Sequence, residues 1–385
     1  MKNIEIHIPK KKISKDFRLK NKKEYFKNFE KNSESNIKSY KKHKGKEAST
    51  EKLLDIQYVN KLFENYNKIF LGDFELLESI KAGSSGAVLK VKSKKINERI
   101  VACKIISNSI GDKAEKFLEQ KRHKEVSIHK RLHHTNIPVI YGYYPLGPDH
   151  SCLMMDYNKY GDIDNFKRKI IKRVCLSESL ICYLSKGILD ALRYINEKNI
   201  IHMDIKQQNV LIDDYLNVKV TDFSVSIPFD KKQEYIKLPL VGTCYYMSPE
   251  VLLEKKIHIK EASKIDIYSF GVLIYLLAFN DYPYELSKVD SNDYNGIYKN
   301  IFNKNIDFPD DTGHSLMFKN FIRKCLEKDI NKRYNIYETL NDPWIKGYQF
   351  INNEKENLYN AGKFMIQMMV DNIKTFNDYV NDYKS

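Results

Sequence analysis

One short stretch decides the fold, Ile201-His202-Met203-Asp204-Ile205-Lys206-Gln207-Gln208-Asn209-Val210-Leu211-Ile212. It places a carboxylate, a lysine and an amide in one loop, between a long helical pattern and an apolar strand. Thr221-Asp222-Phe223-Ser224 adds a second carboxylate at the end of the next strand. The oxygens of Asn209 and Asp222 suit Mg²⁺, which otherwise keeps waters and binds substrate phosphates. Asp204 is then free to accept a proton from a hydroxyl group.

A glycine-rich segment precedes this loop in the chain, Ala82-Gly83-Ser84-Ser85-Gly86-Ala87-Val88. It lies between two predicted strands. Glycines there let backbone N–H groups approach an anion without interference from a Cβ atom, as nucleotide phosphates require. Taken alone, the segment is weak evidence, because Gly-Ser-Ser-Gly more often makes an ordinary hairpin turn.

The next strand carries a lysine, in Val101-Ala102-Cys103-Lys104, and a charged helical segment after it carries Glu125. A lysine that faces a cleft can hold phosphate oxygens, and a glutamate from a neighbouring helix can fix its direction. The alternative is a surface lysine on an edge strand. The loop around Asp204 supplies the context that favours the first interpretation.

The pattern of strands and helices predicts an α+β protein of two lobes. Short β-type runs begin at Phe74, and the sequence turns mainly helical after Asp162. We therefore expect a small lobe with an antiparallel β-sheet and one main helix, and a larger, mainly α-helical lobe, with a ligand cleft between them. The predicted domains are a basic, disordered tail (1–50), a helical lead-in (51–73), a two-lobed domain (74–347, with lobes 74–157 and 158–347) and a C-terminal helical extension (348–385).

The charge is concentrated in the tail. The chain has 65 Lys and Arg against 50 Asp and Glu, a net charge of +15. Residues 1–50 hold 16 basic against 6 acidic side chains, or +10, which leaves +5 for the other 335 residues. We therefore expect a docking partner for the tail, and binding of nucleic acid through the tail is the less favoured interpretation because the tail lacks an aromatic platform on a folded surface.

The cellular location of the protein is predicted from features that the sequence lacks. It has no run of 18 apolar residues and no apolar secretory signal, so no membrane span is expected. Its six cysteines are scattered, without metal-ligand spacing, and are expected to be reduced thiols. A cytoplasmic location follows, with nuclear entry through the basic tail as the alternative.

In their order and spacing, these motifs resemble the signature set of the eukaryotic protein kinases of Ser/Thr type, from about Phe74 to Trp344. Further motifs extend the resemblance. They are Gly242-Thr243-Cys244-Tyr245-Tyr246-Met247-Ser248-Pro249-Glu250, Asp266-Ile267-Tyr268-Ser269-Phe270-Gly271, Asp329-Ile330-Asn331-Lys332-Arg333 and Pro343-Trp344.

The resemblance implies a kinase fold, ATP and Mg²⁺ as cofactors, and a protein substrate with a Ser or Thr acceptor. It implies Asp204, Lys206 and Lys104 as catalytic residues, and Asn209 and Asp222 as metal ligands. Lys206 and Thr243 are typical of Ser/Thr-specific members. The implied ATP-binding residues are Ile80, Gly83, Ser84, Ser85, Gly86, Val88, Ala102, Lys104, Glu125, Met155, Asp156, Asn158, Asp162 and Leu211.

Five positions depart from the family pattern. Lys81 replaces the first glycine of the phosphate loop, and Ser224 replaces the glycine of Asp-Phe-Gly. Met203 replaces the arginine that pairs with a phosphate on the activation segment, and residues 227–242 contain no Ser or Thr. We therefore expect activity that does not depend on Ser/Thr phosphorylation there. Gln208 leaves substrate preference open, and His129 is expected to be a neutral, buried histidine.

The departures also favour a rival class, a pseudokinase scaffold that binds partners, with or without nucleotide, and transfers no phosphate. The presence of Lys104, Asp204, Asn209 and Asp222 opposes it. The active kinase is the favoured prediction.

Overall fold

The computed structural model describes residues 74–83, 86–94, 98–107, 124–146, 150–169, 175–309, 313–346, 348–351, 354–357 and 366–368. The predictions for the tail (1–50) and the helical lead-in (51–73) lie outside the described residues.

The small lobe is built on one five-stranded antiparallel sheet with the strand order β1-β2-β3-β5-β4. Its strands are β1 (Phe74–Gly83), β2 (Gly86–Ser93), β3 (Arg99–Ser107), β4 (Ile140–Leu146) and β5 (His150–Asp156). Successive side chains of a strand point to opposite faces, so β3 buries Val101 and Cys103 on one face and Ala102 on the other. The second face packs against Val126 of a helix, α1, described over residues 124–129.

Two cysteines of this sheet form a disulfide, Cys103 on β3 with Cys152 on β5. The expectation that all six cysteines are reduced thiols is therefore wrong for this pair. Cys103 faces Met154 in the register of the two strands, and Cys152 faces Ile105, which puts the two sulfurs diagonally across neighbouring strands on one face. Cys175, Cys182, Cys244 and Cys325 are free.

The large lobe is mainly helical. Its helices are α2 (Ile163–Lys169), α3 (Glu178–Glu197), α4 (Pro249–Leu252), α5 (Ala262–Phe279), α6 (Tyr294–Asn303), α7 (Leu316–Cys325) and α8 (Ile336–Asn341). Helix α3 starts where the Ser177 side chain caps the amide of Leu180, which satisfies one of the free donors of its first turn. Helix α5 is buried all round, as expected for a helix that is apolar on every face.

Among the described residues, the stretch Ile259–Phe279 is the one helix long and apolar enough to cross a membrane, and 94% of its apolar window is buried inside the protein. It passes through the centre of the large lobe's core. Trp344 is fully buried in the same core, where its indole N–H donates to Glu178 at 2.8 Å. The burial of this helix is that of a core helix.

Three two-stranded sheets shape the loops between α3 and α5. They pair β6 (Ile200–Ile201) with β9 (Ile227–Pro228), β7 (Val210–Ile212) with β8 (Val218–Val220), and β10 (Tyr235–Lys237) with β11 (Lys256–His258). Strand β7 is the end of the segment Ile201–Ile212, and β8 ends two residues before Asp222. The β7–β8 pair therefore fixes the positions of Asp204 and Asp222 in the fold. The predicted α+β architecture of two lobes is confirmed.

The C-terminal extension differs from its prediction where it is described. Instead of helix, its first part forms two paired antiparallel strands, β12 (Tyr348–Ile351) and β13 (Glu354–Asn357). The turn-favouring pair Asn352-Asn353 separates them in the sequence. Helix is described only at residues 366–368. The remainder of the predicted extension lies outside the described residues.

Candidate active site

Lys104, on a strand of the small lobe, forms ion pairs with carboxylates from both lobes. Its ammonium Nζ lies 2.9 Å from Glu125 Oε1, on α1, and 3.0 Å from Asp222 Oδ1, in the large lobe. Burial alone would lower the pKa of Lys104, but the charges of Asp222 and Glu125 outweigh that effect and raise it above its ordinary value. Lys104 is therefore a fixed cation in the cleft.

The two carboxylates around Lys104 respond differently to the same surroundings. Burial raises the pKa of Glu125, and the charge of Lys104 offsets this effect only in part. For Asp222, burial also acts to raise the pKa, but the charge and hydrogen bond of Lys104 lower it well below the ordinary value. Asp222 thus carries a full negative charge in the cleft.

The Asp204 carboxylate is held by three neighbours. Oδ1 accepts a hydrogen bond from the Thr243 hydroxyl at 2.7 Å, and Oδ2 accepts one from the Asn209 amide at 2.9 Å. The ammonium of Lys206 lies 2.7 Å from Oδ2 and also 2.7 Å from the Thr243 oxygen. These contacts fix the direction of the carboxylate, whose side chain is 10% exposed.

The backbone of this loop is anchored from below by Asp266 of α5. Its two carboxylate oxygens accept the amides of His202 at 2.8 Å and Met203 at 2.9 Å. Met203 itself has a positive φ of 70°, a conformation that costs a residue with a Cβ some free energy. Asp266 therefore holds the turn that presents Asp204.

Gly242 lets the activation segment approach the same turn. Its φ is 108°, and a Cβ at this position would lie 2.5 Å from the carbonyl oxygen of Met203. Glycine alone reaches this conformation without strain. The close approach brings Thr243 to within hydrogen-bonding distance of Asp204.

The groups around Asn209 and Asp222 fit a magnesium ion. Asn209 donates from its amide nitrogen to the carbonyl oxygen of Asp204 at 2.8 Å, and its Oδ1 accepts no hydrogen bond from the described residues. Asp222 supplies an ionised carboxylate from a backbone with a φ of 67°. An amide oxygen and an ionised carboxylate suit Mg²⁺, which takes its remaining ligands from phosphate oxygens and water. Within the described chain no cluster of three or more His, Cys, Asp or Glu could hold a metal by itself.

An apolar surface lies between the strands of the small lobe, where a flat ring would enter. Ala102 and Met155 are buried in one cluster, and Val88 packs against it. Ile80, on β1, is 38% exposed. Leu211 forms an isolated antiparallel bridge with Asp162, which brings together two of the residues predicted to bind ATP.

The phosphate loop is described only at its ends. Gly83 pairs with Gly86 across the β1–β2 turn, and Lys81 pairs with Val88. The predicted ATP contacts of Ser84 and Ser85 lie outside the described residues.

The hinge between the lobes has an arrangement that sequence reasoning missed. The Asp156 carboxylate accepts a hydrogen bond from the Val139 amide at 2.9 Å and pairs with Arg99 at 3.3 Å. Both of these contacts are made within the small lobe. The Asn158 amide donates to the Asp156 carbonyl oxygen at 3.1 Å, while its own Oδ1 is buried without a hydrogen-bond partner among the described residues. The hinge carbonyl is therefore covered by a side chain of the protein itself.

Thr243 and Asp266 were also missed as site residues. Sequence reasoning used Thr243 only as a marker of Ser/Thr-specific members and Asp266 only as part of a family motif. The structure has Thr243 in contact with the Asp204 side chain and Asp266 holding the backbone amides of the two residues before Asp204. For Thr243, the pair Gly242-Thr243 was the signal in the sequence that could have indicated a role in the site.

Glu250 and Arg333, each from one of the quoted family motifs, form an ion pair inside the large lobe. Both side chains are buried, and the two guanidinium nitrogens each lie 3.1 Å from one carboxylate oxygen. Arg333 also donates to the Glu327 carbonyl oxygen at 2.7 Å. The pair joins the end of the activation segment to the loop before α8.

The comparisons with known proteins agree with this geometry. The sequence profile of the protein kinase domain matches residues 74–345. The chain belongs to the protein kinase family.

Its relatives include Ser/Thr kinases that differ widely in length. The chain is 31% identical to the serine/threonine-protein kinase dst2 of Dictyostelium discoideum. The match covers 71% of this chain and only 22% of the length of that relative. It is 30% identical to the myosin light chain kinase A of the same organism, over 80% of this chain and 98% of the relative. Human serine/threonine-protein kinase tousled-like 1 is 29% identical over 69% of this chain, which spans only 36% of that relative.

Proposed function

We propose that this chain is an active protein kinase that uses ATP and Mg²⁺ to phosphorylate Ser or Thr hydroxyls of protein substrates. The observation that carries the proposal is the pair of contacts from Lys104 to Glu125 and Asp222, at 2.9 and 3.0 Å. Those contacts unite groups from both lobes in the arrangement that phosphoryl transfer requires. A scaffold without activity has no need to hold them together.

Each residue has a separate task in this proposal. Lys104 binds and orients the phosphates, and Glu125 fixes the direction of its ammonium. Asn209 and Asp222 would hold the Mg²⁺, which when bound neutralises charge on the phosphates. Asp204 orients the acceptor hydroxyl and takes its proton, and Lys206 stabilises negative charge on the transferred group.

The Ser/Thr preference is supported by the contact between Lys206 and Thr243. Their 2.7 Å hydrogen bond ties the activation segment to the catalytic loop beside Asp204. Both residues are typical of Ser/Thr-specific members of the family.

We further propose that activity is independent of Ser/Thr phosphorylation on the activation segment. Met203, 5% exposed, takes the place of the phosphate-binding arginine and lies in one apolar cluster with Ile236 and Leu238 of that segment. The β10–β11 pairing holds the segment in addition. Apolar packing thus supports the ordered segment where other members use an arginine–phosphate pair.

A transfer assay tests the proposal. Purified protein is incubated with Mg²⁺, labelled ATP and a general protein substrate, beside the Asp204→Asn variant, which keeps the size of the side chain. Loss of the base should reduce the rate by about 10²–10⁴-fold. Equal signal from the two proteins would favour the pseudokinase alternative. Phosphatase treatment of the enzyme before the assay should leave the rate unchanged, and its loss would overturn the second proposal.

A further inference from the structure

A basic cavity lies beside the activation segment, outside the ATP cleft. Its volume is about 600 Å³, and Lys255, Lys256, Lys260 and His258 line it from the chain between α4 and α5. The three lysines are exposed. In the part of the chain that the structure describes, no ion pair is made by any of them.

The acidic residues of the same cavity are already neutralised. Glu250 is bound by both nitrogens of Arg333, and Glu261 pairs with Lys264 at 2.6 Å. Asp329 pairs with Lys332 at 4.0 Å and also accepts hydrogen bonds from the backbone and side chain of Asn331. The lysines are therefore not balanced by carboxylates of the cavity, and its wall presents a net positive charge.

The neighbouring sheet adds a further cation to this surface. Lys237 of β10 stands directly opposite Lys256 of β11 in the antiparallel register. Like charges directly opposite each other destabilise a strand pair. Both are exposed, whereas their neighbours Ile236 and Ile257 are buried, so the two ammonium groups share the solvent face. An anion bound on this face would relieve their repulsion.

The surface lies within a short stretch of chain of the acceptor site. Lys237 and Thr243, whose hydroxyl contacts Asp204, are six positions apart in the chain. Six residues span at most about 20 Å when fully extended. A segment of a few residues on a substrate therefore reaches from the acceptor hydroxyl to this surface.

We propose that this basic surface (Lys237, Lys255, Lys256, His258 and Lys260) binds an acidic segment of the protein substrate, close in sequence to the phosphorylated residue. The inference rests on the proposed kinase function. Its cations are lysines, compact point charges without the planar fork that suits one bidentate phosphate, so it fits carboxylates distributed along a peptide.

Binding is measured first, in the absence of ATP and Mg²⁺. The probe is a fluorescent peptide with one Ser followed by a run of Glu, and its partner has Gln in place of every Glu. The test variant is Lys255→Glu/Lys256→Glu. The carboxylate introduced at position 256 would face Lys237 with the opposite charge, so the strand pair is retained. The matched control is Lys299→Glu/Lys346→Glu, which changes the net charge equally at exposed positions elsewhere.

The wild type should bind the Glu peptide more tightly than the Gln peptide. The test variant should bind the Glu peptide at least about tenfold more weakly, and the control should match the wild type to within about twofold. In the transfer assay, the test variant should raise KM for the Glu peptide and leave kcat and the rate with the Gln peptide unchanged.

Three outcomes would overturn the inference. The first is equal binding of the two peptides, and the second is an equal loss in both double variants. The third is binding of a single-stranded oligonucleotide at this surface in place of the Glu peptide. A protein that binds the Glu peptide as expected but transfers no phosphate refutes the proposed function, and the occupant is then an acidic partner and not a substrate.

Discussion

The ring of His129 lies 4.8 Å from the ring of Phe223, measured between centroids, with the two planes tilted by 53°. His129 is 2% exposed, and its Nε2 lies 2.9 Å from the Pro138 carbonyl oxygen. A carbonyl only accepts, so Nε2 carries the hydrogen. Burial lowers the pKa of His129 to about 4, and the hydrogen bond to Pro138 opposes that effect only in part. A neutral imidazole therefore occupies a position where an apolar residue usually packs.

This histidine should make the fold sensitive to acid. Its ordinary pKa is 6.5, so between that pH and about 4 the unfolded chain binds a proton that the folded chain does not. Above pH 6.5 the imidazole is neutral in both states and does not affect the balance between them. As the pH falls from 6.5 toward 4, the free energy of unfolding decreases by about 3 kcal/mol in total. In urea unfolding at a series of pH values, His129→Leu should reduce the slope of the free energy of unfolding against pH in this window. Identical slopes for the two proteins would contradict the prediction.

The loop from Ile201 to Ile212 could be predicted because its chemistry resides in residue types at fixed, short spacing. The hydrogen bond from Asn209 to Asp204 spans five positions, and both residues were named from the sequence. The disulfide could not be predicted in this way, since Cys103 and Cys152 meet only through the register of β3 with β5. The hinge was missed for the same reason, because the partners of Asp156 come from distant parts of the small lobe. Contacts set by tertiary pairing leave no local pattern.

Met203→Arg tests how the activation segment is held. The variant would place a guanidinium in an apolar cluster that offers no phosphate partner, and an unpaired buried charge costs several kcal/mol. We expect a loss of about 3 kcal/mol or more in the free energy of unfolding, together with a fall in kcat. Restoring the family's usual residue should therefore harm this protein. Chemical unfolding and the transfer assay measure the two effects.

The control for this variant is Met203→Leu, which nearly conserves volume and should cost less than about 1.5 kcal/mol. A Met203→Arg protein as stable and as active as this control would mean that the cluster does not hold the segment.

Thr243 should act through its hydroxyl and not through its size. The hydroxyl donates to Asp204 and accepts from Lys206, so Thr243→Val removes both contacts and keeps the shape of the side chain. We expect kcat to fall about 10–100-fold with little change in KM for ATP, because the ATP pocket is untouched. Thr243→Ser keeps the hydroxyl and should retain most of the rate. Steady-state kinetics of the three proteins would refute the prediction if Val and Ser variants lost activity equally.

Asn158 should weaken nucleotide binding, because its amide covers the Asp156 carbonyl at 3.1 Å. In this family the hinge backbone pairs with adenine, so the purine amine competes with that amide for the same oxygen. Asn158→Val uncovers the carbonyl and removes the buried Oδ1 that lacks a partner among the described residues. Replacing the Asn158 hydrogen bond at this carbonyl by one from the purine amine should increase ATP affinity about two- to tenfold. Calorimetry measures the affinity of the two proteins.

Inosine triphosphate provides the control, because it carries a carbonyl oxygen where adenine carries the amine. An oxygen cannot donate to the Asp156 carbonyl, so the variant should bind this nucleotide no more tightly than the wild type does. An equal gain for both nucleotides would mean that Asn158 acts on the shape of the pocket, and a weaker affinity for ATP would mean that its amide supports the hinge conformation that adenine needs.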